Sequence, residues 1–391
     1  MDNMIKKGEE CLLHTYNRFP VVFDKAEGVK LYDINGKEYL DFFSGIAVMA
    51  LGYCHPEYTK RLHEQLDKLT HISNYFYNEP AITAAEKFVK ASGMDRVFFT
   101  NSGAEAIEGA LKMARRYSYD KYGEGRTDVI AVNHSFHGRT MGAVSVTGTE
   151  AYRKPFGQML GGITFAEYNN LDSVKALISD KTCAIILETL QGEGGIHVAE
   201  KEFLEGIRAI CDEKDIVMIL DEVQCGMGRT GKYFAYQHYD ILPDIMTSAK
   251  GIGNGMPVGA FACKEQFAAL VAGDHGSTYG GNPMVTAAIN AVFDIYEKED
   301  VLKNVTEVGD YLYNELEKLA SENELIVDHR GIGLMQGIEL KTEVKKIVGD
   351  ALDNGLVLIS AGNNVIRFLP ALIISKEDVD NMISILKKVL A

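Results

Sequence analysis

The sequence lacks the features of membrane proteins and of nucleic-acid-binding proteins. No segment approaches the length of an apolar membrane span, and the first residues, MDNMIKKGEECLLH, contain no apolar signal core. Basic residues are outnumbered, because 55 Asp and Glu against 40 Lys and Arg give a formal net charge of −15. Such a charge argues against a nucleic-acid partner and against binding to an anionic membrane surface. We therefore expect neither nucleic acid nor a membrane among the partners of this chain.

Cysteine is also scarce, and its spacing argues against a disulfide framework and against a zinc site. The six cysteines are scattered without any CxxC pair, at positions 11, 54, 183, 211, 225 and 263. Cys183 and Cys263 lie inside apolar runs, which is typical of buried free thiols. Free thiols indicate a reducing compartment. The sequence therefore predicts a soluble, cytoplasmic protein.

The composition that is present is that of an ordinary globular protein, with 46% hydrophobic and 24% charged residues. A chain of 391 residues exceeds the usual size of a single core, so we expect a large domain and a smaller one. Asn35-Gly36 between two alternating runs predicts a hairpin. We assign residues 1–55 to an N-terminal arm and hairpin that belong to the small domain, residues 56–300 to the large domain, and residues 301–391 to a C-terminal small domain.

Two short apolar runs that each end in a charged residue give the clearest chemical signal. Residues 216–220 lead to Asp221, and residues 245–249 lead to Lys250. Because the runs do not alternate, they predict strands that are covered on both faces, as in a parallel sheet. Ligands bind such sheets beyond the carboxyl ends of the strands. A fixed carboxylate and a partly desolvated lysine at one crevice suit an enzyme that uses pyridoxal phosphate, although most such residues at strand ends are merely solvated.

A second candidate site follows the predicted strand Arg96–Thr100. Residues 101–106 form a turn of small residues that opens a helix, and a helix N-terminus favours a phosphate through its N–H groups and its dipole. The alternative is a plain capping box, with Ser102 as the N-cap and Glu105 as the third helical residue. The stretch lacks the Gly-Lys-Ser/Thr ending of a nucleotide P-loop, so that interpretation is excluded.

Two further patterns are excluded by their context. The glycine-rich residues 251–255 and 331–333 are each followed by a strand pattern, whereas a dinucleotide-binding turn requires a helix there. This pattern argues against an oxidoreductase. His134 and His137 are close in sequence, but no helical spacing and no nearby set of carboxylates and cysteines supports a metal site. We therefore predict no bound metal.

Five segments carry a resemblance to a known family. They are TNSGAEA at residues 100–106, NHSFHGRT at 133–140, DEVQCGMGRTG at 221–231, SAKG at 248–251 and HGSTYGGNP at 275–283. In these segments the chain resembles the class III (subgroup II) pyridoxal phosphate-dependent aminotransferases, and the resemblance covers residues 16–370. It implies the α/β fold of fold type I transferases, with a mostly parallel central sheet flanked by helices and a smaller α+β domain. It also implies pyridoxal 5'-phosphate as the cofactor and amino-group transfer as the reaction.

The resemblance also implies roles for individual residues. Lys250 is expected to carry the cofactor and to move the proton, and Asp221 is expected to keep the pyridine nitrogen protonated. The other implied cofactor contacts are Ser102, Gly103, Ala104, Phe136, Val223, Gln224 and Thr278. The implied substrate contacts are Tyr16, Arg139, Glu188, Ser277 and Arg367. Thr278 is matched to a residue that reaches the cofactor of the neighbouring subunit, so a homodimer with active sites at the subunit interface is expected.

The implied substrate contacts explain how one site accepts two substrates. Arg139 is matched to an arginine that holds the carboxylate distant from the reacting carbon, and Arg367 to one that grips the near carboxylate of 2-oxoglutarate. The amino donor has no near carboxylate, and while it is bound Glu188 is expected to pair with Arg367. The alternatives are an exposed, structural Arg139 and a structural ion pair of Arg367, which is a charge inside an apolar strand.

Three features favour N2-acetylornithine as the amino donor within this family. The chain has the compact length of the bacterial biosynthetic members. Residues 43–48 read FSGIAV, with Ile46 where ornithine δ-aminotransferases have a tyrosine. Residues 188–195 read ETLQGEGG, which also fits. The expected reaction transfers the δ-amino group to 2-oxoglutarate, giving N-acetyl-L-glutamate 5-semialdehyde and L-glutamate, as in arginine biosynthesis. Met49 and Tyr53 replace the usual Asn and His near the expected pocket, so ornithine, succinylornithine and 4-aminobutyrate stay as alternative donors. A non-catalytic cofactor-binding protein is disfavoured because the lysine, aspartate and arginine set is intact.

Overall fold

A computed structural model describes residues 1–391. The helices α1 to α12, in chain order, are Asp2–Cys11, Ser44–Ala47, Pro56–Leu66, Glu79–Ser92, Gly103–Tyr122, Met141–Ser145, Leu171–Leu177, Lys201–Lys214, Pro283–Lys298, Val301–Glu322, Lys345–Asp353 and Lys376–Val389. The strands β1 to β17 are Phe23–Glu27, Lys30–Asp33, Glu38–Asp41, Arg96–Thr100, Asp128–Val132, Ile163–Ala166, Thr182–Glu188, Leu190–Gln191, His197–Val198, Val217–Asp221, Ile245–Ser248, Gly259–Cys263, Ile326–Ile332, Met335–Leu340, Leu356–Val357, Ile359–Ala361 and Val365–Phe368. None of the helices combines the length and the apolar composition that a membrane crossing requires.

A seven-stranded sheet forms the centre of the molecule, in the order β4-β12-β11-β10-β7-β5-β6. Strand β12 runs antiparallel to both of its neighbours, and every other neighbouring pair is parallel. This sheet confirms the predicted α/β fold class. The register of β7, β10 and β11 sets Asp221 between Glu188 and Thr247. The carboxyl ends of three strands therefore meet at the predicted crevice.

The apolar runs of the central strands do not alternate because both faces of the sheet are buried. Along β10, Met218 and Leu220 join one apolar cluster, and Val217 and Ile219 join a second cluster on the opposite face. Helix α5 covers the second face. Its Gly109 is required there, because an added Cβ would lie 2.2 Å from the Phe261 ring. This close packing fixes the N-terminus of α5 at the edge of the crevice.

Two further sheets each contain four strands, in the orders β1-β2-β3-β15 and β13-β14-β17-β16. The Asn35-Gly36 dipeptide lies in the connection between the antiparallel strands β2 and β3. The sequence pattern predicts one strand over residues 356–359, and this prediction is wrong, because β15 pairs with β3 whereas β16 pairs with β17. The C-terminal part of the chain thus completes the sheet of the N-terminal hairpin. The domain boundaries at residues 55/56 and 300/301 stay predictions.

Candidate active site

A cavity of about 400 Å³ lies at the carboxyl end of the central sheet. It is bordered by the ends of β7 and β10, by the turn after β11 and by the first turn of α5. Most of the predicted cofactor and substrate residues line it, namely Ser102, Gly103, Ala104, Phe136, Arg139, Glu188, Asp221, Val223, Gln224 and Lys250. The structure therefore brings residues from separate segments of the sequence to one place.

Lys250 lies two residues after β11, at the start of a turn over Lys250–Ile252. Desolvation lowers the pKa of its amine to about 8, although the carboxylates of Glu193 and Asp221 oppose this shift. A neutral amine is the nucleophilic form of lysine. Lys250 therefore lines the cavity and has a much larger neutral fraction near neutral pH than an ordinary lysine.

The backbone is strained where it delivers Lys250 to the cavity. Lys250 itself has a φ of 52°, in the left-handed region that residues with a side chain rarely adopt. Helix α2, which contacts this turn, has φ values of 66° at Ile46 and 61° at Ala47, so it is a left-handed turn and not an α-helix. Such conformations cost about 1–3 kcal/mol each and persist where packing imposes them. The position of the lysine is therefore imposed by the surrounding fold.

Asp221, at the end of β10, is held by three hydrogen-bond partners. Its Oδ1 accepts from Val223 N at 3.0 Å and from Thr247 Oγ1 at 3.1 Å, and its Oδ2 lies 2.7 Å from His137 Nδ1. His137 is buried, and its other ring nitrogen, Nε2, has no partner. The sequence pattern does not reveal this role, because His137 is 84 residues from Asp221 and its own segment suggests only a metal ligand. His134, the other histidine of that segment, is exposed.

The N-terminus of α5 forms another wall of the cavity. Ser102 caps the helix, since its Oγ accepts a hydrogen bond from Glu105 N at 3.2 Å. The Glu105 carboxylate accepts from Asn101 N and Nδ2, both at 2.9 Å, and not from the N-cap N–H that a capping box uses. Gly103 has no room for a side chain, because an added Cβ would lie 2.9 Å from Val223. The first N–H groups of the helix lack intrahelical acceptors, so this wall suits an anion such as a phosphate.

Glu188 lies at the end of β7 and is buried. Its Oε2 accepts a hydrogen bond from Phe136 N at 3.3 Å. Burial raises the pKa of the Glu188 carboxyl well above its ordinary value, and the nearby Asp221 carboxylate adds to the rise. The shift is toward the protonated form, opposite to the shift of a carboxylate that balances an arginine.

The structure pairs Arg367 with Glu193 and not with Glu188, the partner that is expected in the complex with the donor. Arg367, on β17, is completely buried, and its Nη1 donates to Glu193 Oε1 and to Gln224 Oε1, both at 2.9 Å. Burial by itself would raise the pKa of Glu193, but the Arg367 guanidinium lowers it below its ordinary value. The reason lies in the chain path, because Glu188 ends a central strand and faces the Phe136 amide, whereas Glu193 follows β8 in a glycine-rich turn.

Besides Arg367, three predicted site residues do not line the cavity. Tyr16 is 70% exposed, in the N-terminal segment before β1. Ser277 is near the site, since its Oγ accepts a hydrogen bond from Asn101 Nδ2 at 3.0 Å. Thr278 is exposed and has no contact with the cavity of its own chain. Their predicted roles stay predictions.

The chemical groups around the cavity fit pyridoxal phosphate. A desolvated amine, a buried carboxylate, a helix N-terminus and the Phe136 ring stand on its walls. These are the groups that suit, respectively, covalent attachment, a protonated ring nitrogen, a phosphate and an aromatic ring. Gln224 offers a side-chain amide at the same wall. No side chain that lines the cavity is chemically incompatible with this cofactor.

Comparisons with known proteins agree with this chemistry. The sequence pattern of the family "Aminotransferase class-III" matches residues 12–390. The acetylornithine aminotransferase of Clostridium acetobutylicum is 48% identical, over 96% of this chain and 98% of that protein. The acetylornithine/succinyldiaminopimelate aminotransferase of Photorhabdus laumondii is 43% identical, over 95% of this chain and 93% of that protein. Among solved structures, the ornithine aminotransferase of Toxoplasma gondii gives a TM-score of 0.95 at 29% identity and covers 100% of this chain and 94% of that chain.

The match extends over nearly the whole chain in each comparison, so it does not rest on a shared subdomain or motif. It confirms the family, the fold class and the enzyme class that the sequence predicts. Most of the residues that line the cavity belong to the segments by which the sequence resembles the family. The chain belongs to the class-III aminotransferase family.

Proposed function

We propose that this protein transfers the δ-amino group of N2-acetyl-L-ornithine to 2-oxoglutarate, with pyridoxal phosphate as cofactor, and so serves arginine biosynthesis. The relative from Clostridium acetobutylicum, which is 48% identical, is an acetylornithine aminotransferase. The observation that carries the proposal is a desolvated lysine near two arginines, of which Arg139 makes no ion pair and Arg367 pairs with Glu193. This arrangement suits two substrates that share a distant carboxylate and differ in a near one.

The chain's own residues supply the proton transfers and the orientation. When bound, pyridoxal phosphate withdraws electrons from the carbon that carries the amino group, so that its proton becomes acidic. Lys250 would hold the cofactor, and its amine, once released, would take the proton from Cδ of the donor as a base and give it back as an acid. Asp221 holds a proton on the ring nitrogen, and His137 holds the Asp221 carboxylate in place.

Arg139 and Arg367 recognise different carboxylates of the substrates. Arg139 lines the cavity without an ion pair, and we assign it to the carboxylate that both substrates carry far from the reacting carbon. Arg367 keeps its pairing with Glu193 while the acetylated donor is bound, because that donor has no near carboxylate. The near carboxylate of 2-oxoglutarate takes the place of Glu193. The Glu193 side chain is 27% exposed, so it has solvent to move into, whereas Arg367 is completely buried.

A homodimer with active sites at the subunit interface completes the proposal. Asn74 Nδ2 donates to the carbonyls of Ser277 and Gly280, which ties the loop of Thr278 to a neighbouring segment. Exposed aromatic rings cluster on these two segments, at Tyr75, Phe76, Tyr77 and Tyr279. Adjacent exposed apolar rings indicate a surface that another protein covers, and a second copy would receive Thr278.

Small molecules are the proposed substrates, and the cytoplasm is the proposed location. None of the six cysteines forms a disulfide, and four of them are buried, which suits a reducing compartment.

The substrate assignment is tested by kcat/KM for N2-acetylornithine, succinylornithine, ornithine and 4-aminobutyrate, each with 2-oxoglutarate as acceptor. We expect the highest value for N2-acetylornithine. A higher value for another donor would reassign the substrate while keeping the reaction class. Ornithine is the second candidate, because the solved structure with a TM-score of 0.95 is an ornithine aminotransferase.

A further inference from the structure

Arg139 is exposed, and within the protein its guanidinium contacts only aromatic rings. It makes no ion pair and no hydrogen bond, but its Cζ lies 3.9 Å from the ring centroid of Tyr152 and 5.2 Å from that of Phe136. The Tyr152 ring also meets the Phe136 ring edge-on, with a centroid distance of 5.9 Å and an interplanar angle of 89°. Tyr152 therefore contacts both the arginine and the aromatic wall of the cavity, although it does not line the cavity itself.

The backbone turn that carries the Tyr152 ring is anchored to the central sheet. Tyr152 ends a short 3-10 turn over Glu150–Tyr152, and its N–H donates to Thr149 O at 3.1 Å. The next residue, Arg153, places its guanidinium 4.0 Å from the ring centroid of Phe165, on strand β6 of the central sheet. The turn is thereby fastened to the sheet. Tyr152 is half-buried, and its hydroxyl makes no hydrogen bond within the protein, so the ring is the part that makes contacts.

We propose that Tyr152 is the positioning residue that makes the site selective for substrates with a distant carboxylate. This inference rests on the role of Arg139 in the proposed function. A cation over an aromatic face is stabilised without using its N–H donors. The N–H donors of the planar Arg139 guanidinium therefore stay free for a bidentate contact with a carboxylate. Because the stack restricts the side chain before binding, less conformational entropy is lost when the carboxylate binds.

The test uses the holoenzyme and pairs of ligands that differ only in the distant carboxylate. Glutarate and butyrate, which cannot react, are titrated by calorimetry, and 2-oxoglutarate and 2-oxobutanoate are compared as acceptors. For Tyr152→Leu we expect glutarate affinity to fall about tenfold and the Michaelis constant for 2-oxoglutarate to rise by the same factor. The kcat with 2-oxoglutarate, the affinity for butyrate and the kinetics with 2-oxobutanoate should stay at the wild-type values.

Two control variants distinguish the effect of losing the Tyr152 ring from nonspecific damage to the protein. Tyr152→Phe keeps the ring and should restore the wild-type glutarate affinity. Tyr119→Leu makes the same change at an exposed tyrosine of α5 and should leave all values unchanged. If Tyr152→Leu fails to fold, Tyr152→Gln carries the same expectation.

Three results would overturn the inference. They are wild-type glutarate affinity in Tyr152→Leu, an equal loss for glutarate and butyrate, and a loss in Tyr152→Phe as large as in Tyr152→Leu. A wild-type enzyme that does not prefer 2-oxoglutarate over 2-oxobutanoate would instead refute the proposed role of Arg139, and the inference with it.

Discussion

Glu193→Gln tests the observed pairing of Arg367 directly. The Arg367 side chain is completely buried, and Glu193 supplies its only carboxylate. Glutamine keeps the size and an oxygen acceptor but removes the charge. Leaving a buried group without its partner costs about 1–3 kcal/mol, so the loss of the only counter-charge of Arg367 should lower the free energy of unfolding by about 2 kcal/mol.

The free energy of the Arg367–Glu193 ion pair should affect only the half reaction with 2-oxoglutarate. In the wild type, the near carboxylate of 2-oxoglutarate must displace Glu193 from Arg367, and about 2 kcal/mol corresponds to about 30-fold in affinity. We therefore expect the acceptor to bind up to about 30-fold more tightly to Glu193→Gln. The free enzyme and the donor complex keep the same Arg367 contacts, so the affinity for N2-acetylornithine should not change.

The assay is a single-turnover measurement of each half reaction, followed by the absorbance of the cofactor, together with urea unfolding. Glu188→Gln is the matched control. Glu188 accepts a hydrogen bond from Phe136 N and makes no ion pair with Arg367, so the amide should leave acceptor affinity unchanged. The reasoning is refuted if Glu193→Gln leaves acceptor affinity at the wild-type value, or if Glu188→Gln raises it instead.

Three further predictions concern the lysine, the histidine and the core. In the cofactor-free protein, attachment of pyridoxal phosphate at Lys250 should accelerate with rising pH and level off above about 8, because burial lowers the pKa of the amine to about 8 and the neutral form reacts; a rate that does not change between about pH 6 and about pH 9 would contradict this. His137→Phe removes an N–H donor from Asp221 and should lower kcat about tenfold in steady-state assays, with little change in KM; an unchanged kcat would count against the role of His137. Gly109→Ala should destabilise the fold by about 1–3 kcal/mol in urea unfolding, because its Cβ meets the Phe261 ring, whereas Gly349→Ala, with open space around its Cβ, should not destabilise it.

The parts of the site that lie at strand ends and at a helix start could be predicted from the sequence. Asp221 and Lys250 each follow an apolar run, and a run without alternation predicts a strand that is buried on both faces. The carboxyl ends of such strands meet at one edge of a sheet, so the pattern places the two residues at one crevice. The small-residue turn likewise predicts Ser102 as the N-cap of α5.

Contacts that depend on the path of a loop could not be predicted. The resemblance pairs Arg367 with Glu188, but the observed pair is set by how the turn after β8 passes β17, and nothing in the local pattern encodes that path. Glu193 is visible in the sequence only as part of the segment ETLQGEGG. The contact between His137 and Asp221 joins residues 84 positions apart, so neither segment reveals it alone.

The strand prediction near the C-terminus failed for a related reason. Residues 356–359 are all apolar, which predicts one strand, but β15 and β16 belong to different sheets. An apolar pattern indicates burial and does not indicate which neighbour covers the strand.

The central claim is that Lys250 is the residue that carries the cofactor. Its most direct test is to reduce the holoenzyme with borohydride, digest it and locate the modified lysine by mass spectrometry. The structure predicts that the added mass of the reduced cofactor lies on the peptide that contains Lys250 and on no other peptide. Modification of a different lysine, or no modification of a protein that has bound pyridoxal phosphate, would contradict the account.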